Sequence, residues 1–198
     1  MLTILCGKSS SGKDTLCKLL KECGFQTLVS TTTRPMREGE KEGREYFYVS
    51  RDEFQRKISA GDMLEYRSYN TTVNGVPDTW YYGLEKKSVE NLDSQMGYVV
   101  IMDLDGAKAV QEACKHKDCF TVYIDVDDKV RTDRAKARGS FDSEEWYRRL
   151  ADDARVFTPA NVSRVCDTSI KNDSDEFTLL GKFIEVYKRS FTLPFVTK

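Results

Sequence analysis

The sequence predicts an α/β fold in which helices cover both faces of a parallel sheet. Strand-like and helix-like segments alternate along the 198 residues, and such alternation is typical of parallel sheets joined by right-handed crossovers. Residues 98–104 (YVVIMDL) form an apolar run interrupted by Asp103 alone, as expected of a strand buried on both faces. A glycine- and serine-rich loop at 7–12 separates the first strand pattern from the first helix pattern. The length indicates one compact domain with small appended subdomains.

The opening segment supplies a strand and a helix. Residues 3–6 form a short apolar run bounded by a glycine, which predicts a buried strand. Apolar residues at helical spacing over 15–20 predict a helix, and Gly24 is a stop signal. Residues 25–30 favour an extended conformation. Residues 31–44 are too rich in Arg, Glu and Gly for a core element.

The remaining elements follow from capping and β-propensity. Ser50 is followed three residues later by Glu53, a capping-box pattern that predicts a helix over 51–60. A turn signal lies at 74–78. The predicted strands are 46–49, 63–69, 80–84, 98–104 and 120–126, and the further predicted helices are 85–92, 107–114, 128–137, 143–157 and 175–191.

Composition excludes several classes of function. The 31 Lys and Arg residues nearly balance 32 Asp and Glu, which argues against a protein that coats nucleic acid. A single His argues against histidine-based metal sites and triads. The sequence contains no apolar run long enough to span a bilayer and no signal-peptide pattern at its start. Six cysteines without a C-x-x-C pair favour reduced thiols and a cytoplasmic protein.

The strongest motif is GKSSSGKDT at residues 7–15. It has G-x-x-x-x-G-K spacing between a predicted strand and a predicted helix, which is the context that a P-loop requires. Gly7 and Gly12 allow backbone conformations that a side chain would block. Backbone N–H groups and the helix N-terminus then face phosphate oxygens, and Lys13 reaches the terminal phosphates. The predicted phosphate-binding residues are Gly7, Ser9, Ser10, Ser11, Gly12, Lys13, Asp14 and Thr15.

The residue after the P-loop lysine departs from the usual motif. A Ser or Thr there normally contacts Mg²⁺ through its hydroxyl, whereas this chain has Asp14 followed by Thr15. Asp14 could hold Mg²⁺ through water, Thr15 could take part of the role, or the carboxylate could repel nucleotide phosphates. The GKDT sequence resembles the loop of some phage-type deoxynucleoside monophosphate kinases, so Asp14 is compatible with an active site.

Residues 29–50 read VSTTTRPMREGEKEGREYFYVS. Their arginines suit forked contacts with phosphate, although composition alone equally favours a solvated loop. At this point the sequence resembles the guanylate kinase family, which carries S-x-T-T-R-x-x-R…G-x-x-Y-x-F-V-S after its P-loop, and the spacing matches without a gap. The resemblance continues through GDMLEY, WYYGL, IMDLDG, residues 134–150 and SIKND, and so covers nearly the whole chain.

The resemblance implies roles for the acceptor side. The positions around the acceptor monophosphate are matched by Arg34, Arg37, Tyr46 and Tyr82. Those that contact the guanine are matched by Ser30 and Glu65. The acidic pair near the metal is matched by Asp103 and Asp105. For Glu65 there is also a chemical reason. A carboxylate can accept from both N1–H and the 2-amino group of guanine, which adenine cannot satisfy.

The resemblance also implies a lid. Positive charge around the γ-phosphoryl group and exclusion of water are what phosphoryl transfer needs. The alternative for the implied lid, at about residues 131–150, is an exposed helix pair of mixed charge. Asn172 resembles a residue near the donor adenine. The implied catalytic residues are Lys13, Arg34, Arg134, Arg138 and Arg149, and the implied metal-proximal residues are Asp14, Thr15 and Asp103.

Two departures from the family pattern leave the acceptor open. The family usually has Ser or Thr after the Y-G of the acceptor site, and this chain has Leu84. The segment 69–79 is also longer than usual. Together with GKDT, these features keep a deoxynucleoside monophosphate kinase of broader base specificity as an alternative.

A second alternative is a catalytically inactive guanylate-kinase-like module that holds phosphorylated peptides. Arg34, Arg37 and Tyr46 would bind the phosphate in that case. Such modules typically lose the P-loop lysine, which this chain retains as Lys13.

We therefore expect a P-loop three-layer parallel-sheet core with a small β-rich acceptor-binding insertion and a short helical lid. The core is assigned to residues 1–32 and 87–198, with the lid at about 131–150, and the insertion to 33–86. The expected reaction transfers the γ-phosphoryl of ATP, as its Mg²⁺ complex, to GMP or dGMP. We expect ATP and the nucleoside monophosphate as partners, no nucleic acid or membrane, and a cytoplasmic monomer or homodimer.

Overall fold

A computed structural model of the chain describes residues 1–73, 76–90, 92–114, 119–137 and 141–190. Within these ranges the strands are β1 (Leu2–Cys6), β2 (Gln26–Thr27), β3 (Ser30–Thr32), β4 (Tyr46–Tyr48), β5 (Met63–Val73), β6 (Val76–Glu85), β7 (Tyr98–Ile101), β8 (Cys119–Asp125) and β9 (Thr168–Lys171). The helices are α1 (Lys13–Glu22), α2 (Arg51–Ala60), α3 (Lys87–Glu90), α4 (Leu104–Ala113), α5 (Asp128–Ala137), α6 (Ser143–Val156), α7 (Pro159–Val165) and α8 (Glu176–Ser190).

The core is a parallel sheet with the strand order β2–β7–β1–β8–β9. Side chains alternate between its two faces, as they do along any strand. Leu5 on one face packs in a cluster with the apolar residues of α1 and α8. Leu2 and Ile4 on the other face pack with α4 and α7. This arrangement of three layers confirms the predicted α/β fold with a parallel sheet.

The second sheet is smaller, with the strand order β4–β3–β6–β5. Strands β5 and β6 form a long antiparallel hairpin whose register runs from Met63 opposite Glu85 to Val73 opposite Val76. Strand β3 lies in the segment assigned to the core but pairs with β4 and β6. The division of the chain at residues 32/33 and 86/87 stays a prediction.

Strand β3 corrects the expectation that residues 31–44 contain no core element. Thr31 and Thr32 are buried because their hydroxyl groups find partners inside the protein. Thr31 donates to Glu85 Oε1 at 2.9 Å, and Thr32 donates to the main-chain oxygen of Tyr81 at 2.8 Å. Polar side chains satisfied in this way can occupy interior strand positions.

The hairpin and two helices also differ from the expected boundaries. The turn predicted over 74–78 is wrong at residues 76–78, which belong to β6, while residues 74 and 75 lie outside the described ranges. Helix α4 begins three residues earlier than expected because Asp103 caps it. Helix α7 was not predicted, although Thr158 accepts a hydrogen bond from the main-chain N–H of Asn161 and Pro159 stands in the first turn.

The helix expected over 51–60 is confirmed as α2, with Ser50 as its N-cap. Ser50 Oγ accepts a hydrogen bond from the N–H of Glu53 at 3.1 Å, and Gly61 ends the helix in the left-handed conformation at φ +74°. No helix within the described ranges is long and apolar enough to cross a membrane.

Candidate active site

The phosphate loop connects β1 to the first turn of α1. Gly12, immediately before the helix, has φ +96°. A Cβ atom at this position would lie 2.4 Å from Nδ2 of Asn172, so glycine is required both by the conformation and by the close contact. Asn172 in turn donates from Nδ2 to the main-chain oxygen of Ser11 at 2.8 Å. The loop is thus supported from behind by a buried amide.

Lys13 places its ammonium group inside this loop. Its Nζ donates to the main-chain oxygens of Gly7 at 2.7 Å and Lys8 at 2.9 Å. Burial lowers the pKa of Lys13, and the nearby carboxylates of Asp14 and Asp153 oppose that shift. The Lys13 side chain is thus fixed by the loop itself at the wall of the cleft.

The small sheet brings the predicted acceptor residues together from three separate stretches of sequence. Ser30 lies opposite Tyr46 in the β3–β4 pair. The rings of Tyr46 and Tyr82 meet edge to face with centroids 5.7 Å apart. Burial raises the pKa of Tyr46 to about 12, so its hydroxyl group stays protonated and can donate to a phosphate.

Arg34 is buried beside these tyrosines. Its guanidinium lies 5.4 Å from the ring centroid of Tyr46 and donates to Glu40 Oε1 at 2.8 Å. Burial alone would raise the pKa of Glu40, but the hydrogen bonds from Arg34, the Arg37 N–H and the Tyr48 hydroxyl together lower it to about 2. The Arg37 side chain is exposed. Glu40 therefore holds Arg34 in a position where a phosphate ligand could replace the Glu40 carboxylate.

Glu65 lies on β5 and faces the start of α4. Its Oε1 accepts a hydrogen bond from the N–H of Leu84 at 3.0 Å. A Cβ atom on Gly106 would lie 3.3 Å from Oε2 of Glu65, so the glycine allows the carboxylate to approach the helix. Burial raises the pKa of Glu65 to about 7; Arg67 opposes this shift and Asp103 reinforces it.

Asp103 is the N-cap of α4 and joins the helix to the hairpin. Its Oδ1 accepts from the N–H of Gly106 at 2.8 Å. Its Oδ2 accepts from Arg67 Nε at 3.2 Å and from the Tyr69 hydroxyl at 3.0 Å. Asp105 is exposed in the first turn of α4 and is not among the residues that line the cleft.

Arg67 and Tyr69 line the cleft but were not predicted as site residues. A sequence signal for them existed. Alternate residues of a strand point to the same face, and Arg67 and Tyr69 lie two and four positions after Glu65 on β5. Placing Glu65 on a long strand would have indicated both.

Of the arginines predicted for the lid, Arg149 is bound by a carboxylate and Arg134 by a main-chain oxygen. Arg149, on α6, donates from Nε to Glu145 Oε1 at 2.8 Å, and it lines the cleft. Burial raises the pKa of Tyr82, and Arg149 is among the cations that oppose this shift from across the cleft. Arg134, on α5, donates from Nη2 to the main-chain oxygen of Asn172 at 3.2 Å. Arg138 lies outside the described residues.

A single cleft of about 360 Å³ joins these parts, a volume suited to a small ligand. The predicted site residues in its lining are Gly7, Ser9, Lys13, Ser30, Tyr46, Glu65, Tyr82, Asp103 and Arg149. The described site residues outside the lining are Ser10, Ser11, Gly12, Asp14, Thr15, Arg34, Arg37, Asp105, Arg134 and Asn172. Asn172 lies behind the phosphate loop, and its assignment to the donor adenine stays a prediction.

The chain is similar in sequence to guanylate kinases. A family model described as guanylate kinase matches residues 1–184. A guanylate kinase of Symbiobacterium thermophilum is 38% identical over 157 residues, which cover 77% of this chain and 69% of that relative. One from Fusobacterium nucleatum is 32% identical over 145 residues, covering 73% and 74%. One from Lactiplantibacillus plantarum is 31% identical over 195 residues, covering 96% and 87%.

The fold is similar to that of a solved structure as well. The crystal structure of guanylate kinase from Anaplasma phagocytophilum aligns with a TM-score of 0.62. The alignment covers 96% of this chain and 85% of that chain at 24% identity. At this identity the likeness concerns the fold alone.

Proposed function

The chain belongs to the guanylate kinase family, and from that membership we propose that it transfers the γ-phosphoryl of ATP to GMP or dGMP, giving ADP and the nucleoside diphosphate. One observation carries the proposal. Lys13 of the phosphate loop and Glu65 of the small sheet line the same cleft, with Tyr46 and Tyr82 beside them. This supports the proposal, because a phosphate donor and a guanine acceptor would then bind next to each other.

On the donor side, we propose that the loop binds the phosphates of ATP. Main-chain N–H groups at the start of α1, with the positive end of the helix dipole, would bind the phosphate oxygens. Lys13 would exchange its bonds to the main-chain oxygens of Gly7 and Lys8 for the terminal phosphates. Its charge would then stabilise the oxygens of the γ-phosphoryl group in flight.

For Mg²⁺, the first turn of α1 offers a suitable donor set. Asp14 is an exposed carboxylate next to Lys13, and its charge acts on the hydroxyl group of Tyr46. The Thr15 hydroxyl follows it. Asp103 fits less well because its oxygens already accept three hydrogen bonds. When bound with ATP, Mg²⁺ would neutralise negative charge on the phosphates.

On the acceptor side, we propose that Arg34, Tyr46 and Tyr82 bind the monophosphate, with Arg37 at the outer edge. Arg34 would release Glu40 and take the phosphate in its place, a swap of one anion for another. Glu65 would accept from N1–H and the 2-amino group of guanine. No general base is required, because the acceptor phosphate is already an anion.

The arginines of the lid would complete the charge balance. Arg149 faces Tyr82 across the cleft, where it would meet the phosphate in transfer after leaving Glu145. We propose Arg134 and Arg138 as further lid cations, on the basis of the family resemblance. Closure of this segment would exclude water and so limit hydrolysis of ATP.

The test of this proposal is an acceptor panel. ADP release from ATP and Mg²⁺ is measured with GMP, dGMP, dTMP and AMP. We expect stimulation by GMP or dGMP and little by AMP. Comparable turnover of all four would favour the deoxynucleoside monophosphate kinase of broad specificity, and no stimulation together with no ATP binding would favour the phosphopeptide module.

Glu65 predicts a pH dependence of acceptor binding. Its pKa of about 7 means that the carboxylate is lost as the pH falls below 7, and with it the acceptor for N1–H. We therefore expect the KM for GMP to rise as the pH is lowered from 8 to 6. Because the GMP phosphate titrates in the same range, the profile is compared with that of Glu65→Gln. An identical profile in the variant would contradict the assignment.

We propose a cytoplasmic setting, since ATP and free nucleoside monophosphates are available there. The expected partners are these two nucleotides. A monomer and a homodimer remain the two states expected for the chain, and sedimentation at several concentrations would distinguish them.

A further inference from the structure

Arg131, on α5, is a buried arginine that the proposed reaction does not use. It is the largest fully buried side chain of the described residues. Its Nη1 donates to the main-chain oxygen of Ser9 at 2.9 Å and to Asp153 Oδ2 at 2.8 Å. Its Nη2 donates to Asp128 Oδ1 at 2.7 Å. The guanidinium therefore links the phosphate loop to two helices.

Asp153, on α6, contacts the same residue of the loop from the other side. The oxygen that accepts from Arg131, Oδ2, also accepts from the main-chain N–H of Ser9 at 2.9 Å. Both main-chain groups of Ser9 are thus bound by one ion pair. Ser9 and Asp153 are 144 positions apart in the sequence, so this contact joins distant parts of the fold.

Stability alone does not account for a charged pair here. Removing two charges from water is costly, and apolar residues of similar volume are often as stable or more so. What an apolar pair could not do is bind the N–H and the carbonyl of a loop residue. The chemistry of the pair is matched to the backbone of Ser9, which lines the cleft together with Lys13.

The pair also connects the loop to α6, the helix that carries Arg149. Asp153 is four positions after Arg149 on α6, and therefore on the same side of the helix. Both residues line the cleft. The position of α6 is thus coupled to the position of the phosphate loop.

We propose that Arg131 and Asp153 are positioning residues that hold the phosphate loop at Ser9 in register with α6. The inference rests on the proposed function, since the loop is taken to bind ATP. Loss of the pair would free Ser9, and the loop would then have to be ordered again each time ATP binds. Loss of the pair should therefore weaken ATP binding and should leave the acceptor site intact.

The test compares Asp153→Ala with Asp153→Asn. The amide oxygen of Asn can accept from both Ser9 and Arg131, whereas Ala accepts from neither. We expect Asp153→Ala to weaken ATP binding by about tenfold, the size expected for losing a hydrogen bond to a charged group, with the KM for GMP within about twofold of wild type. Asp153→Asn should recover most of the affinity.

Asp152→Ala removes the same charge one position away, at a residue paired with Arg148, and should leave ATP affinity within about twofold of wild type.

The double variant Arg131→Leu/Asp153→Ala separates positioning from stability. It removes both charges, so its melting temperature should recover relative to Arg131→Leu, in which Asp153 is left unpaired. Its ATP affinity should stay low because Ser9 remains unbound. Calorimetry with ATP and Mg²⁺ supplies the affinity without any acceptor, so it distinguishes this inference from the acceptor assignment.

Three results would overturn the inference. The first is wild-type ATP affinity in Asp153→Ala. The second is an affinity in Asp153→Asn no better than in Asp153→Ala. The third is recovery of ATP affinity along with stability in the double variant, which would show that the pair acts on stability alone.

Discussion

Replacing Lys13 by Met is expected to lower kcat with GMP by about 10³-fold or more, the scale at which loss of a cation at the transferring phosphoryl group is felt. The side chain of Met fills similar space, so the loop should keep its shape through Asn172 and the Ser9 contacts. The lost ammonium group is the cation already buried in the loop. Steady-state kinetics with saturating ATP and GMP measure the effect.

The matched control is Lys8→Met in the same loop. Lys8 is only partly buried, and its ammonium pairs with Asp128 at the longer distance of 3.5 Å. Its loss should change kcat by less than about threefold, as expected of a partly exposed ion pair. Equal losses in Lys8→Met and Lys13→Met would contradict the assignment of the γ-phosphoryl cation to Lys13. Thermal melting of both variants checks that they fold.

Replacing Glu65 by Gln is expected to lower kcat/KM for GMP by about 10²- to 10³-fold, because two hydrogen bonds to a charged acceptor are lost or weakened. The amide oxygen can keep the bond from the Leu84 N–H, so the local structure should survive. Activity with AMP should change little, and the preference for guanine should therefore collapse. The measurement is kcat/KM for GMP and AMP in both proteins.

The same variant should be more stable at high pH. Burial raises the pKa of Glu65 to about 7 in the folded protein, above the ordinary value near 4.5, so folding favours the protonated form. The stability that the protonated carboxyl contributes is present at low pH and lost as the pH rises through 7. Glu65→Gln should therefore melt at a higher temperature than wild type at pH 8, and the difference should vanish near pH 4.5.

A variant that loses activity while gaining stability would indicate that Glu65 is kept for function. Glu90→Gln, at an exposed position on α3, is the control for removal of one carboxylate. Glu90→Gln should change neither the activity with GMP nor the melting temperature. Retention of guanine preference in Glu65→Gln would contradict the proposed base contact, whatever the melting temperature.

The parts predicted from sequence are those encoded by adjacent residues. The phosphate loop is a contiguous motif, and its neighbours on both sides have clear strand and helix patterns. The capped helix α2 follows from two residues three positions apart. Long apolar runs place the core strands in the sheet. Each of these signals depends on local chemistry and needs no knowledge of distant contacts.

The parts that sequence reasoning missed depend on contacts between distant segments. Arg67 and Tyr69 matter because the hairpin brings them to Asp103, more than 30 positions away. Asp103 caps α4 because the preceding strand ends at Ile101, three residues before the end of the predicted strand. Arg131 lies on a helix of mixed charge, where nothing local distinguishes a buried arginine from an exposed one. Burial is decided by the loop and helix that pack over it.

The most direct test of the central claim is to follow the phosphoryl group itself. The protein is incubated with ATP labelled at the γ-phosphate, Mg²⁺ and GMP, and the nucleotides are separated by chromatography. We predict that the label appears in GDP in equal amount to the ADP formed, about 10³-fold more slowly or less with Lys13→Met, and not at all without GMP. Label released only as inorganic phosphate, or ADP formation independent of GMP, would contradict the account.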